Sequence, residues 1–383
     1  MDIYFDNSAT TKPYKEVIEE TVLSMEEFYG NPSSLHNMGI KSEKKINEAR
    51  EFLGKSINAS KEEIYFTSGG SEGNSLAIKG LLKEGHHVIT TTFEHHSVLN
   101  TYKELEKIGV KVTYLKVNNE GKISLEELEE AINKDTVLVS IMHVNNEMGA
   151  IQDIEAIGKI VKEKSSRARF HVDAVQSYGK LKLDVKKMNI DLLTTASHKI
   201  HGPKGVGFIY IKKGIVLNSL ITGSQEGGFR GGTHNVTGIM GFKRAAEITM
   251  NNIDSSYSYV SDLKEYMIKR LGEINNIRIN SPLREDFTPY ILNVSFIGVK
   301  AEVLLHLLEE NNIYVSTGSA CTSRTSSAKG SYVIKELGLK NNEIESAIRF
   351  SFSKFNTKEE VDKTIEVLKS SLTFLRRVRR WIS

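Results

Sequence analysis

Ser197-His198-Lys199-Ile200-His201-Gly202-Pro203-Lys204-Gly205 sets a lysine between a small polar run, residues 194–197, and a turn built from Gly202, Pro203 and Gly205. Glycine and proline stiffen the turn, so Lys199 is expected on a rigid edge and not on a loose surface loop. A lysine becomes a covalent catalyst by forming a Schiff base with a carbonyl, and pyridoxal phosphate is the commonest such carbonyl in enzymes. A surface lysine in a basic turn is the plain alternative for these nine residues alone. The stretches around them decide against it.

Residues 136–144 form a continuous apolar run, as in a strand buried on both faces of a parallel sheet. The run ends in Asn145-Asn146-Glu147-Met148-Gly149. Ligands bind outside the carboxyl ends of such strands, which makes these polar residues site candidates. A second strand, 169–172, ends at Asp173. An aspartate there is the group needed to keep a pyridine nitrogen protonated, and it is equally a helix N-cap. Residues 63–67 read as a strand, and the Ser68-Gly69-Gly70-Ser71-Glu72-Gly73-Asn74 turn leads into a helix over 75–82. Such a turn offers backbone N–H groups to a phosphate, although ordinary connections also use Gly and Ser. Strand 86–91 leads to Glu94-His95-His96-Ser97. Adjacent histidines on an extended segment point to opposite sides and make a poor metal pair. One of them either faces the site, stacked on a cofactor ring and able to move protons, or is a partly buried strand-end histidine.

A chain of 383 residues predicts one large domain with a smaller companion. The reading places the large domain at 13–257 and the small α+β domain at 1–12 and 258–383, after a helix over 238–257. Hydrophobic residues at 39% and charged residues at 26% describe a soluble globular protein, with no run long enough to cross a bilayer. A formal charge of +3 argues against direct nucleic-acid binding, and the basic tail of Arg376, Arg377, Arg379 and Arg380 reads as the solvated end of a helix. No secretion signal is read at the N-terminus, and a single cysteine excludes an intrachain disulfide and any multi-cysteine metal site. A cytoplasmic location is the expectation.

That cysteine, Cys321, lies in a polar, glycine-flanked run over 316–330 that cannot form a core. An accessible thiol near basic residues is the profile of a reactive one. Five glycines in 223–235 forbid regular structure, so that loop is expected to be floppy or shaped by something it binds. Arg349, between apolar neighbours on strand 347–353, needs a carboxylate partner from protein or substrate.

Taken together, the motifs resemble the NifS/IscS type of cysteine desulfurase. They are Asp6-Asn7-Ser8-Ala9-Thr10-Thr11, Asn31-Pro32-Ser33-Ser34, the 67–72 turn, Glu94-His95, His143-Val144-Asn145-Asn146-Glu147, His171-Val172-Asp173-Ala174, the Lys199 stretch, Arg230-Gly231-Gly232-Thr233 and Gly318-Ser319-Ala320-Cys321. They stand in the family's order across nearly the whole chain.

The resemblance implies the aspartate-aminotransferase-like α/β fold of pyridoxal-phosphate enzymes (fold type I), a large domain with a mostly parallel sheet, and a homodimer. It implies that Lys199 forms the Schiff base with pyridoxal 5'-phosphate and later acts as acid and base. Asp173 pairs with the pyridinium nitrogen and His95 stacks on the ring. Gln176 and Asn146 face the ring oxygen and the substrate, with Asn7 also on the substrate side. Gly70, Ser71, Ser197 and His198 bind the phosphate, with Thr233 from the other subunit. Arg349 grips the carboxylate of L-cysteine, and Cys321 attacks the substrate sulfur, leaving alanine and a persulfide.

The family pattern Ser-x-His-Lys is here Ala196-Ser197-His198-Lys199, with the serine one place nearer the lysine. The chain ends soon after Leu375, where relatives that feed an iron–sulfur scaffold often carry a longer tail. The acceptor is therefore such a scaffold or a tRNA-thiolation protein. Selenocysteine lysis or transamination on the same fold, and a cofactor-binding protein without turnover, are the competing readings. A thiol loop is superfluous to transamination, and the joint presence of Lys199, Asp173, His95, Cys321 and Arg349 disfavours a protein without turnover.

Overall fold

The computed structural model describes residues 2–318 and 331–382. Its strands are β1 (Ile3–Tyr4), β2 (Ile64–Thr67), β3 (His87–Thr91), β4 (Lys111–Leu115), β5 (Thr136–Met142), β6 (Arg169–Asp173), β7 (Leu192–Thr194), β8 (Gly207–Ile211), β9 (Ile277–Ile279), β10 (Ile291–Phe296), β11 (Ile313–Tyr314) and β12 (Ala347–Ser351). Seven of them form one sheet in the order β2-β8-β7-β6-β5-β3-β4. β4, β3, β5, β6 and β7 run parallel, and β8 pairs antiparallel with both β7 and β2. Every residue of β5 is buried, because helices cover both faces of the sheet. This is the α/β architecture with a mostly parallel sheet that the apolar runs predict.

The pairing of Met142 with Asp173, and of Asp173 with Thr194, puts the carboxyl ends of β5, β6 and β7 level with one another. Side chains leaving the sheet there share one edge. A second core joins Ile3 and Phe5 to the buried face of the C-terminal half, from Val260 to Leu372. There β9, β10 and β12 form an antiparallel sheet, and β1 pairs parallel with β11. Val333, Ile334 and Ala347 pack instead into the core around the large sheet.

Several expectations change in detail. The helix expected over 75–82 is Gly70–Lys79, so the turn's glycine and serine are its first residues. The helix expected to end at 257 breaks at Asn252, between Val236–Asn251 and Ile253–Leu271. Of the two adjacent histidines only His95 is extended, as the N-cap of the helix His96–Glu106, and His96 is that helix's first residue. Arg376 is half-buried, its guanidinium donating to the carbonyls of Asn275, Asn276 and Ile297, while Arg377 is exposed as a solvated helix end would be. No helix among the described residues is long and apolar enough to cross a membrane.

Candidate active site

Lys199 ends a single 3-10 turn, Ser197–Lys199, and the N-terminal arm wraps around it. Thr11 donates its N–H and its hydroxyl to the His198 carbonyl, at 2.9 and 3.0 Å. The Lys199 ammonium in turn donates to the carbonyls of Ser8 and Ala9, at 2.6 and 2.7 Å. An otherwise free-swinging side chain is thereby fixed at the wall of a cavity of about 220 Å³. Its wall includes Gly70, Ser71, His95, Asn146, Asp173, Gln176, His198, Lys199 and Arg349, nine of the residues expected at the site.

Asp173 sits at the end of β6 and accepts twice: Oδ1 from the Val175 N–H at 2.9 Å, Oδ2 from Asn74 Nδ2 at 2.7 Å. The carboxylate steadies the turn that follows β6, where no helix begins, and it also lines the cavity. Asn74 Nδ2 lies 2.9 Å from Ser97 Oγ, which lies 2.9 Å from His95 Nδ1. Burial pushes the His95 pKa down; Asp173 opposes the shift, while Lys199 and His96 add to it. Burial, with Lys199, Lys204 and Lys180 nearby, holds His198 near 4, so both imidazoles are neutral at pH 7.

Gln176 donates to the Ser8 carbonyl at 2.9 Å and receives Lys180 Nζ on Oε1 at 3.3 Å. Lys180 is buried, and burial together with the Lys199 and Arg349 charges lowers it to about 7. Arg349, 1% exposed, finds its carboxylate within the protein: it donates to Asp6 Oδ1 at 2.7 Å and to the Asn146 carbonyl at 2.9 Å. Among the described residues its Nε and the Asn146 Oδ1 have no partner, although both are buried. A buried donor and acceptor left open at a cavity wall are groups that a polar ligand satisfies.

These residues fit pyridoxal phosphate. An amine for the aldehyde, a carboxylate for the pyridine nitrogen and an imidazole for the ring line one small cavity. The first turn of the helix Gly70–Lys79 presents N–H groups beside a second, more open hollow that includes Ser71, His198 and Lys204. A side chain at Gly70 would meet Val175 Cγ2 at 2.6 Å, so only glycine leaves the cradle open.

Ser197 does not join the cavity wall. Its hydroxyl is buried without a partner among the described residues, at a position where a Cβ on Gly202 would lie 1.9 Å from it. Ala196 stands at the cavity in its place, which is the structural consequence of the one-residue shift. Asn7 is also turned away, its Nδ2 donating to Tyr4 O, Ser351 O and Asn356 Oδ1. Thr233 is exposed and outside the cavity of its own chain.

The loop expected to be floppy or ligand-shaped is instead anchored internally by Glu226, which pairs with Arg50 and His234. Sequence reading missed Asn74, Ser97 and Lys180. Asn74 follows Ser71 by three residues, so a helix begun at Gly70 would have put both on one face.

Cys321 lies outside the described residues. The segments flanking it are rooted at the cavity. Ser316 exchanges both backbone hydrogen bonds with Arg349, at 3.1 and 2.7 Å, and its hydroxyl donates to the Gly318 carbonyl at 2.7 Å. On the other side Ser331 Oγ donates to Glu147 Oε2, next to Asn146, and Tyr332 donates to the Glu94 carbonyl. Tyr332 also lies against His96, ring centroids 4.6 Å apart.

Residues 3–364 match the family model "Aminotransferase class-V". The chain is 44% identical over 375 residues to the curated "Cysteine desulfurase IscS" of Clostridium botulinum strain Hall, covering 96% of this chain and 93% of the relative. It is 41% identical over 383 residues to the IscS of Dictyoglomus turgidum, covering 98% and 96%. A solved "NIFS-LIKE PROTEIN" superposes with a TM-score of 0.91 at 39% identity, covering 98% of this chain and 100% of its own. A structure described as "SspA in complex with cysteine" gives 0.81 at 35% identity, covering 93% and 100%.

Proposed function

Because the chain belongs to the class-V aminotransferase family, we propose that it is a pyridoxal-phosphate-dependent cysteine desulfurase, forming L-alanine from L-cysteine and a persulfide on Cys321. The observation that carries the reading is where the flanks of Cys321 are rooted. A Cβ on Gly318 would lie 3.4 Å from Glu147 Oε2, the same oxygen that Ser331 holds.

Pyridoxal phosphate, when bound, supplies an electron sink for bonds at the substrate's α-carbon. Lys199 contributes the amine that captures the aldehyde and, once displaced by the substrate's amine, a base for proton transfer. Asp173 would hold the pyridine proton, His95 the ring face, and Gly70, Ser71 and His198 the phosphate. Arg349 offers its unpartnered Nε to the substrate carboxylate, while Asn146 and Gln176 face the remaining polar groups. The sulfur balance closes without an outside oxidant. The substrate C–S bond breaks, the Cys321 sulfur bonds to the departing sulfur, and a proton replaces sulfur on carbon.

The reading extends to a homodimer, supported by the exposed apolar side chains of the helix Lys15–Glu27 and by the exposed Thr233, which would complete the partner's phosphate site. The large domain would be 13–257 and the small one 1–12 with 258–383. The persulfide would pass to a protein acceptor, an iron–sulfur scaffold or a tRNA-thiolation protein, in a cytoplasm that keeps the lone thiol reduced.

Given L-cysteine, the purified protein should release alanine and, with a thiol reductant, sulfide. Cys321→Ala should stop both while keeping the yellow cofactor absorbance, which Lys199→Ala should lose. Alanine release that survives removal of the thiol unchanged would end the persulfide assignment.

A further inference from the structure

One buried amide joins two of the residues that the site depends on. Asn74 is 1% exposed on the helix Gly70–Lys79, and its Nδ2 stands 2.7 Å from Asp173 Oδ2 and 2.9 Å from Ser97 Oγ. Ser97 Oγ is 2.9 Å from His95 Nδ1, and the Ser97 backbone N–H points at the same nitrogen from 3.2 Å.

The direction of this chain is fixed from both ends. A backbone N–H can only donate, so His95 Nδ1 must present its lone pair. With Asp173 as a carboxylate, which accepts on both oxygens, the Asn74 atom against Oδ2 is the NH2 and not the carbonyl. That NH2 spends its second hydrogen on Ser97 Oγ. The serine therefore accepts from Asn74, and its single hydrogen is left for His95 Nδ1. The two ends agree.

We infer that Asn74 and Ser97 are positioning residues that fix His95 as a neutral imidazole protonated on Nε2, meeting the cavity as a hydrogen-bond donor and not as a base. Two donors converge on Nδ1, and a proton can be placed there only by turning the Ser97 hydroxyl away and forfeiting the backbone contact. The other charged or titratable groups bearing on the ring divide. Lys199 and His96 disfavour a second proton and Asp173 favours it, while burial disfavours it most. A ring already protonated on Nε2 cannot take a proton from a ligand through that nitrogen. The same amide ties His95 to Asp173, so the helix that opens at Gly70 also sets the spacing between ring-stacking and ring-pairing groups.

The inference rests on the desulfurase reading for what the cavity holds, but the hydrogen-bond directions do not. Holoenzyme labelled with 15N-histidine reports both ring nitrogens of His95, its signals identified by their loss in His95→Gln. The expected wild-type pattern is a protonated Nε2 and a bare Nδ1 from about pH 6 to 9, the range in which an ordinary histidine finishes titrating. Ser97→Ala and Asn74→Leu should raise the proton affinity of the ring roughly three- to tenfold, the worth of one hydrogen bond to the neutral form. Ser97→Thr should restore the wild-type pattern, which a role in folding alone would not require.

An imidazolium or an Nδ1-protonated ring in wild type overturns the inference. So do Ser97→Ala and Asn74→Leu variants that titrate like wild type. If Asn74→Leu fails to fold, the Ser97 pair decides by itself. Alanine release measured on the same samples tests the reaction separately. A protein that makes no alanine yet shows the Nε2-protonated ring supports the relay while sinking the desulfurase reading.

Discussion

Glu226 has a left-handed backbone, φ 48, at the foot of the glycine-rich loop, where a non-glycine residue is uncommon. What holds it there is charge. Its oxygens take a two-pronged contact from Arg50, at 2.7 and 2.8 Å, a 2.7 Å contact from His234 and the Phe66 N–H at 2.6 Å. Burial alone would raise the carboxyl pKa, but Arg50, His234 and the Phe66 N–H outweigh it and hold the group at about 2. A carboxyl lowered on folding stabilises the protein above its unfolded pKa, near 4.5, and loses that contribution as pH falls toward 2. Arg50→Ala leaves a buried carboxylate without its main partner and should cost about 3 kcal/mol at pH 7. The difference between wild type and variant, read from urea midpoints, should shrink as pH drops from 4.5 to 3. A difference that stays constant over that range would show that Arg50 acts through its packing over the Phe66 ring, 4.7 Å away, and not through Glu226.

The same contest between burial and partners recurs one level up, where a helix holds a loop. Lys264, on the helix Ile253–Leu271, is wholly buried and donates to the carbonyls of Pro282 and Thr288, both at 3.1 Å. The segment between those carbonyls clamps the stretch that follows Asn146. Thr288 N–H donates to Gly149 O at 2.8 Å, Ile151 N–H to Asp286 O at 2.9 Å, and Phe287 bridges Ala150. Lys264→Ala orphans two buried carbonyls and should cost about 2–4 kcal/mol, with faster amide exchange at Ile151 and Thr288 than at Val139 in β5. Uniform acceleration across both would remove the clamp from the account. Burial also lowers the Lys264 pKa to about 7. Because the unfolded lysine titrates near 10.4, wild-type stability should gain from this group as pH rises from 7 to 10, a gain the variant lacks.

Elements with one dominant signal were legible in the sequence. The helix Ile154–Lys164 and strand β10 fall where apolar spacing puts them, and β5 is the unbroken apolar run of a covered strand. Elements whose placement is tertiary were not. β9 is three residues with an exposed centre, and it exists because β10 offers it an edge. The early start at Gly70 follows from Ser68 N–H meeting the Glu72 carboxylate at 2.9 Å, a capping contact invisible to apolar periodicity. Most of the expected residues that line the cavity are those whose type announces chemistry. Asn74 and Ser97 were missed because an amide and a hydroxyl gain meaning only from what faces them.

At the scale of the whole molecule, the unfinished surface is the outer face of the helix Lys15–Glu27. Val17 and Ser24 turn inward, while Ile18, Val22 and Met25 recur at helical spacing with 51%, 49% and 62% of their surface exposed. Tyr29 and Leu35 extend the apolar patch beyond the helix. Burying these side chains in a second copy would recover roughly 25 cal/mol for each Å² removed from water, whereas a charge in their midst would have to be desolvated without a partner. If wild type pairs through this face, the double variant Ile18→Glu, Val22→Glu, whose like charges cannot satisfy each other, should sediment as a monomer and wild type as a dimer. If Thr233 serves the partner's phosphate site, that monomer should also hold pyridoxal phosphate more weakly, losing its yellow absorbance at dilutions the dimer withstands. Thr233→Ala separates the two effects, since it should weaken cofactor retention and leave the dimer intact. A monomer that keeps its cofactor as tightly as the dimer would mean that each chain builds its phosphate site alone.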